Sequence, residues 1–253
     1  MTEFLLLLAG LCAGAINSLA GGGSFIAFPA LLAAGLPPVV ANASNTYAAL
    51  PGYVSGIAGF WPAMQPYRGR LLGYSIVALI FGYLGAELLL AVSDEQFRYV
   101  VPWLLLFAVV LFAFGNRIGS RLGALTTGKR GRLTMAAGLA GLAVVCLYGG
   151  FFNAGLGILL LAVLALSGYT DMLAMNGLKL WISSIVAAVA VVRFVIGGSI
   201  DWYFGTIVLV GVTIGGYTAA RLARFIPQPV LRGIVIVYGG GLTAWFFWTT
   251  YLA

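Results

Sequence analysis

Two polar pairs interrupt an otherwise apolar sequence. Asn42 and Asn45 are three residues apart, and so are Asn176 and Lys179, so in a helix each pair shares one face. Amide N–H groups and an ammonium group are hydrogen-bond donors that suit oxyanions. A lysine inside an apolar segment needs a counter-charge or must lose its proton. The nearest acid in sequence, Asp171, is expected at the surface, so a bound anion is a natural partner for Lys179.

Glycine-rich breaks at 20–23 and 154–157 each come directly before a short apolar segment. The start of a helix presents free N–H groups and the positive end of its dipole, both of which attract anions. Glycine lets the backbone approach a ligand closely, and Ser24 is placed either to cap the helix or to donate to a ligand. The predicted substrate-binding residues are Asn17, Gly21, Gly22, Gly23, Ser24, Asn42, Asn45, Asn153, Gly155, Gly157, Asn176 and Lys179.

Structural interpretations of the same residues stay open. The glycines at 21–23 could permit close helix packing, and each asparagine could form an interhelical hydrogen bond. Lys179 could extend its ammonium group to a membrane interface. The functional interpretation is favoured because the same polar pattern occurs twice at matched spacing.

The composition indicates a helical membrane protein. Of 253 residues, 62% are hydrophobic and 8% charged, which leaves too few polar residues to cover a water-soluble domain. No charged residue lies between Glu3 and Arg68, between Arg132 and Asp171, or after Arg232. Apolar runs of this length are typical of membrane-spanning helices. We therefore expect an all-α, multi-pass protein of the cell membrane, with the bacterial inner membrane as its location and the lipid bilayer as a partner.

The sequence argues against several other classes. It contains no histidine, and its two cysteines have no metal-ligand spacing, so we expect no metal and no cofactor. No GxSxG or HExxH motif is present, and the six acidic residues are scattered, so catalytic residues and an enzyme are not expected. The net charge of +7 comes from short loops between apolar runs, which indicates membrane orientation and no nucleic-acid partner.

Hydropathy divides the chain into ten apolar segments, and a long polar loop separates the first five from the last five. The second and seventh segments are too short to span a bilayer comfortably. The polar loop at 116–132 separates a first membrane repeat (1–115) from a second (133–253), and we expect it to be a cytoplasmic linker. The segments are 4–20, 24–36, 39–60, 71–92, 99–115, 133–151, 155–168, 172–196, 204–224 and 231–251.

The two halves resemble each other, which predicts an internal duplication. At a shift of 134 residues, matched positions include Gly23 with Gly157, Asn42 with Asn176, and Arg98 with Arg232. With two residues fewer in the second half, Asn17 matches Asn153. We expect each repeat to be a broken helical hairpin followed by three spanning helices.

The charges predict that the repeats are inverted. Basic loop 61–70 corresponds to 195–204, whose only charged residue is Asp201. Conversely, basic loop 221–232 corresponds to 87–98, whose charged residues are mostly acidic. A bias that changes sign between equivalent loops indicates opposite orientations, with both chain ends outside. The alternative is a parallel arrangement of four plus four spans. The clusters expected in the cytoplasm are Arg68 and Arg70; Arg117, Arg121, Lys129, Arg130 and Arg132; and Arg221, Arg224 and Arg232.

These motifs resemble those of the TauE/SafE-type sulfite exporter family. The resemblance rests on GAINSLAGGGSFIAFPAL, ANASNTYAALPG, NAGLGI and MNGLKLWISS, and it covers nearly the whole chain. It implies a small membrane permease for sulfite, sulfoacetate or other sulfur-containing anions, mostly moving outward. The family's more familiar second motif is ANATK-like, and Gly177 and Leu178 lack the hydroxyl of that form.

The sequence leaves three functions open. The first is a sulfite or organosulfonate exporter that works by alternating access around an anion site near the bilayer midplane. The second is a facilitator for another small anion or a carboxylate, and the third is a structural or assembly subunit. A homo-oligomer is possible in each case.

Overall fold

The protein folds entirely into helices over the residues that the structure, a computed structural model, describes: 1–125, 132–222 and 228–252. A 3-10 turn joins the third and fourth helices, and a π-helical turn follows the tenth. The all-α prediction is confirmed. The helices are α1 (Thr2–Ala20), α2 (Ser24–Ala33), α3 (Pro38–Met64), α4 (Arg68–Ala91), α5 (Asp94–Leu125), α6 (Arg132–Phe151), α7 (Leu156–Leu166), α8 (Met172–Ile196), α9 (Trp202–Leu222) and α10 (Gln228–Phe247).

The helix lengths agree with a membrane setting. Within the described residues, two stretches, Pro38–Ala91 and Met172–Ile196, are long and apolar enough to cross a membrane by length and composition. α2 and α7 have only 10 and 11 residues, which is about 15 to 17 Å of helix, or half of the hydrocarbon core. These two helices can therefore reach only the middle of a bilayer from one side.

The largest difference between a predicted apolar segment and its helix is at the end of α5. α5 continues to Leu125, about ten residues into the segment that hydropathy assigns to a polar loop. The segment 116–125 contains no proline, and the loss of apolar residues ends a membrane span without ending a helix. The rest of the predicted linker, 126–131, lies outside the described residues, and so do the side chains of the basic residues at 117–132 and 221–232.

α6 and α7 form a helical hairpin, called here the second hairpin. A Cβ at Gly149 would lie 2.5 Å from Leu156 near the turn, and one at Gly138 would lie 2.8 Å from the Ser167 hydroxyl at the open end. Gly138 and Gly149 thus bring the two helices into close antiparallel contact. α1 and α2 form the first hairpin, in which Gly23 packs against Ala13 and Asn17.

The second hairpin opens toward the end of the molecule that carries Arg68 and Arg70, called here the basic end. Arg70 Nη1 donates a hydrogen bond to the Tyr169 hydroxyl (3.0 Å), and Tyr74 bonds the same hydroxyl (2.7 Å). Tyr169 lies in the turn after α7, so α7 ends and α4 begins at this end of the molecule.

The first hairpin opens toward the opposite end, which carries Asp94 and Asp201 and is called here the acidic end. Val39 N–H, at the start of α3, donates to Asp94 Oδ1 (2.8 Å), and Asp201 N–H donates to the Ser44 hydroxyl (2.9 Å). α2 leads directly into α3, so it also ends here. The two hairpins therefore enter the molecule from opposite ends.

Each hairpin is held against the other half of the chain by glycine contacts. α1 packs on α9, where a Cβ at Gly14 would meet the Val212 carbonyl and lie 2.7 Å from Gly216 N. α6 packs on α4, where a Cβ at Gly150 would meet the Gly82 carbonyl. Small residues let helix backbones approach this closely in membrane proteins.

Candidate functional site

The tips of the two hairpins meet inside the molecule. A Cβ at Gly21 would lie 3.8 Å from Gly157 Cα, so the two breaks are in near contact. Gly21 and Gly155 have φ angles of +79° and +86°, in the left-handed region that favours glycine. α2 and α7 both begin at these tips, so the N–H groups of their first turns and the positive ends of their dipoles face the same region.

Lys179 lies between the two tips. Its Cδ lies 3.3 Å from where a Gly157 Cβ would be, and its Nζ lies 3.6 Å from the corresponding point at Gly21. The residue is only 5% exposed. Nζ donates to Asn176 Oδ1 (3.0 Å), one turn earlier on α8, and this bond directs the ammonium group. The structure therefore does not support the alternative in which Lys179 extends its ammonium group to a membrane interface.

Lys179 has no counter-ion: within the described part of the chain, no carboxylate lies within 4.0 Å of its Nζ. Asp171, the nearest acid in sequence, instead caps α8 by accepting from Leu173 N–H (2.9 Å). The other cation on α8, Arg193, pairs with Glu87 of α4 (2.5 Å). A buried cation without a partner is costly, so an anion at the hairpin tips would be strongly stabilised.

A second group of predicted residues surrounds Asn45. Its side chain is 1% exposed, and its Nδ2 has no hydrogen-bond partner among the described residues. It lines a small pocket with Asn17, Gly23, Ser24 and Ala49. The volume of this pocket is about 10 Å³, on the order of one water molecule.

The two groups lie at different depths, because α3 and α8 cross in opposite directions. Gly177 of α8 packs on Met64 near the end of α3, whereas Ala187 of α8 packs on Ala49 and Tyr53 near its middle. Lys179 is eight residues before Ala187, or about 12 Å toward the basic end. The structure thus divides the predicted residues into a Lys179 group and an Asn45 group on either side of this crossing.

The hydrogen bonds of three asparagines show which of their amide groups are already used. Asn42 Nδ2 donates to the Phe151 carbonyl at the end of α6 (2.9 Å), leaving only its Oδ1 unpaired. Asn176 uses both groups, because Nδ2 donates to the Met172 carbonyl (2.9 Å) and Oδ1 accepts from Lys179. Asn153 Nδ2 has no partner in the part of the chain that the structure describes. Asn42 and Asn176 therefore have structural bonds, whereas Asn45 and Asn153 have donors available for a ligand.

The remaining glycine, Gly22, lies in the break just before α2. Its carbonyl accepts from Phe25 N–H (3.1 Å), and the residue is buried at the tip of the first hairpin. Gly22 therefore shapes the tip rather than presenting a side chain to a ligand.

Two residues that lie beside the predicted site residues, Tyr53 and Ser183, are absent from the sequence prediction. The Tyr53 hydroxyl donates to Asn153 Oδ1 (3.1 Å), so it connects α3 to the tip of the second hairpin. The Ser183 hydroxyl lies one turn after Lys179 and is buried, with no partner within the described ranges. Their spacing of eight from Asn45 and four from Lys179 places them on the predicted faces, and this signal could have identified them.

Replacing Tyr53 by phenylalanine tests the link between α3 and the tip of the second hairpin. The change leaves the buried Asn153 Oδ1 unpaired, which costs roughly 1–3 kcal/mol, so we expect a lower melting temperature and slower transport. Tyr47→Phe is the matched control, because the Tyr47 hydroxyl contacts Thr206 only weakly (3.4 Å) at an exposed position. Equal melting temperatures and rates for both variants would show that Tyr53 has no such role.

The two residues that depart from the ANATK-like motif pack α8 against its neighbours. A Cβ at Gly177 would lie 2.5 Å from Met64 Cγ, so this position admits no larger residue without movement of Met64. Leu178 is fully buried in an apolar cluster with Met64 and Leu71. Neither residue replaces a polar contact of Lys179, so the departure concerns packing.

A helical protein with a buried lysine between two hairpins, each of which contains a half-length helix, has the features of a membrane transporter, and this lysine has no counter-ion among the described residues. The chain belongs to the sulfite exporter TauE/SafE family, whose family model matches residues 6–246.

Curated relatives agree with this membership. A "Probable membrane transporter protein" of Haemophilus influenzae is 28% identical over 244 residues, covering 95% of this chain and 92% of that protein. The "Probable membrane transporter protein YfcA" of Escherichia coli K12 is 27% identical over 249 residues, covering 95% and 87%. The "Probable membrane transporter protein ORF9" of Sinorhizobium sp. is 25% identical over 235 residues, covering 92% and 87%. No solved structure matches the chain significantly.

Proposed function

We propose that this protein exports sulfite or a related sulfur-containing anion, such as an organosulfonate, across the bacterial inner membrane. The observation that carries the proposal is Lys179, a buried ammonium group at the point where two helix starts meet, with no counter-ion in the described structure. Sulfite is small and rich in oxygen acceptors, so backbone N–H groups, amide donors and one ammonium group suit it. One cation binds a monoanion without holding it so tightly that release stops.

Alternating access around this site explains how the anion crosses. The tips meet near the middle of the molecule, and a hairpin that withdraws would open the site toward the end from which it enters. The small pocket at Asn45 and the low exposure of Lys179 support an occluded state in this structure. Movement of one hairpin at a time would expose the site to one side of the membrane at a time.

The proposed transporter has two inverted repeats, 1–115 and 133–253, joined by a cytoplasmic linker. The opposite entry of the two hairpins supports inversion, and so do the equivalent contacts of Gly14 and Gly150. We place the basic end in the cytoplasm, because Arg68 and Arg70 lie there. The acidic end, with both chain termini, then faces outward, and each repeat contributes a hairpin and three spans.

Cysteine labelling of equivalent loops tests the inversion. Gly69 lies in open space at the start of α4, and Ser199 lies in the equivalent loop between α8 and α9. In a Cys12→Ala background, we expect an impermeant thiol reagent to label Gly69→Cys only from the cytoplasm and Ser199→Cys only from outside. Labelling of both positions from the same side would support parallel repeats instead.

The substrate is tested with purified protein in proteoliposomes on a solid-supported membrane. Rapid concentration jumps of sulfite, thiosulfate, sulfate, sulfoacetate and acetate are compared, and a radiotracer repeat detects electroneutral transport. We expect saturable transport of sulfite or a sulfonate that the other sulfur anions inhibit. Transport of acetate alone would support the facilitator for carboxylates, and no transport of any anion would reject the proposal.

A further inference from the structure

The two groups of site residues occupy equivalent positions in the two halves but differ in charge. Position 45 corresponds to 179 at the shift of 134 residues, and Gly23 corresponds to Gly157. Asn45 shares its pocket with Gly23, as Lys179 packs on Gly157. The same local construction therefore presents an amide on the acidic-end side and an ammonium group on the basic-end side.

The pocket at Asn45 has the properties of a ligand site. Asn45 Nδ2 is a buried donor without a partner in the described structure, and it lines a cavity. Asn17 and Ser24 line the same cavity, and no charged residue is among its lining residues. A donor in such a position favours an acceptor oxygen, because an unmade buried hydrogen bond is costly.

We propose that the anion has two successive binding sites, and that the pocket at Asn45 is a second, uncharged one on the acidic-end side. This inference rests on the proposed function, since it takes Lys179 to bind the transported anion. The pocket is too small for sulfite in this structure, so it must widen when the first hairpin moves. The anion passes from the Lys179 site to the Asn45 site, where hydrogen bonds alone hold it.

The difference in charge predicts different affinities from the two sides. Hydrogen bonds from a charged donor are about twice as strong as those from a neutral one. The two sites differ by one hydrogen bond that has a charged donor at Lys179 and a neutral donor at Asn45. We therefore expect the half-saturating concentration at the acidic end to be about tenfold higher than that at the basic end. An uncoupled carrier has equal ratios of maximal rate to half-saturating concentration from both sides, so the maximal rate from the acidic end is higher by the same factor.

The inference is tested by measuring radiolabelled sulfite uptake, or uptake of whichever sulfur anion is transported, in inside-out and right-side-out vesicles. Asn45→Ala removes the free donor and should raise the half-saturating concentration at the acidic end several-fold, with little change at the basic end. Ala49→Ser adds the hydroxyl that Ser183 supplies in the other half, and it should lower the half-saturating concentration at the acidic end. Ala49 lines the pocket, so this small change requires no repacking of a large side chain.

The exchange of the two residues gives the sharpest outcome. In the double variant Asn45→Lys with Lys179→Asn, the side with the lower half-saturating concentration should be reversed. Equal half-saturating concentrations on the two sides of the wild type would overturn the second site while leaving the transporter in place. The same conclusion would follow if Asn45→Ala and Ala49→Ser both had the half-saturating concentrations of the wild type. Absence of saturable uptake in the wild type would overturn the proposed function as well.

Discussion

Replacing Lys179 by methionine is expected to abolish anion transport and to leave the protein at least as stable as the wild type. Methionine keeps the unbranched apolar part of the side chain that packs on Gly157 but removes the ammonium group. Charge-assisted hydrogen bonds contribute roughly 1.5–3 kcal/mol, so anion affinity should fall by about 10- to 100-fold. The site is then nearly empty at the sulfite concentration that half-saturates the wild type, which is the concentration at which the transport rates are compared. Because the wild-type ammonium group is buried and has no counter-ion among the residues that the structure describes, its removal also relieves a desolvation cost.

The two readouts separate a binding role from a structural one. Transport is measured in proteoliposomes and stability as the melting temperature of the purified protein, both with and without sulfite. Sulfite should raise the melting temperature of the wild type and leave that of Lys179→Met unchanged, because only a bound ligand stabilises the native state. If the methionine variant melts at a lower temperature and still transports the anion, Lys179 is a structural residue and the anion site lies elsewhere.

Alanine at Gly14 or Gly150 is expected to prevent correct folding. A Cβ at Gly14 would lie 2.7 Å from Gly216 N, and one at Gly150 would lie 3.1 Å from Ala86 N. Both obstacles are backbone atoms, so the helices must move apart and the hairpin tips must separate with them. We expect losses of several kcal/mol, at the upper end for single substitutions, seen as low yield of monodisperse protein and a large drop in melting temperature.

Gly59→Ala is the control for these two variants. Gly59 also lies within a helix, but nothing lies within 4 Å of a Cβ at this position, and alanine favours helix more than glycine does by about 1 kcal/mol. Its melting temperature should therefore equal or exceed that of the wild type. The same loss in all three variants would show that the close contacts of Gly14 and Gly150 are not the cause.

The helices and the hairpin breaks could be predicted because they depend on local sequence. Apolar runs and glycine-rich breaks placed α8 at Met172–Ile196, as observed, and located the turns before α2 and α7. The end of α5 could not be found in this way, because hydropathy reports where a segment leaves an apolar environment and not where its backbone bonds end. A helix that extends past an apolar run, as α5 does beyond residue 115, gives no such signal.

The division of the site into two groups could not be predicted from the sequence. Spacing along a helix shows which residues share a face, so it paired Asn176 with Lys179 correctly, and the structure confirms their contact. It does not show at which level two helices cross, and the crossing of α3 and α8 near Tyr53 and Ala187 separates Lys179 from Asn45. Nor does it show which amide donors are already used, as that of Asn42 is by Phe151.

The most direct test of the central claim is the flux of radiolabelled sulfite into proteoliposomes that contain the wild type, Lys179→Met or Gly59→Ala. We predict saturable flux for the wild type and Gly59→Ala, inhibited by excess unlabelled sulfite, and background flux for Lys179→Met despite its intact fold. Saturable flux of equal size in all three proteins would contradict the claim that the anion binds Lys179 at the meeting point of the two hairpins.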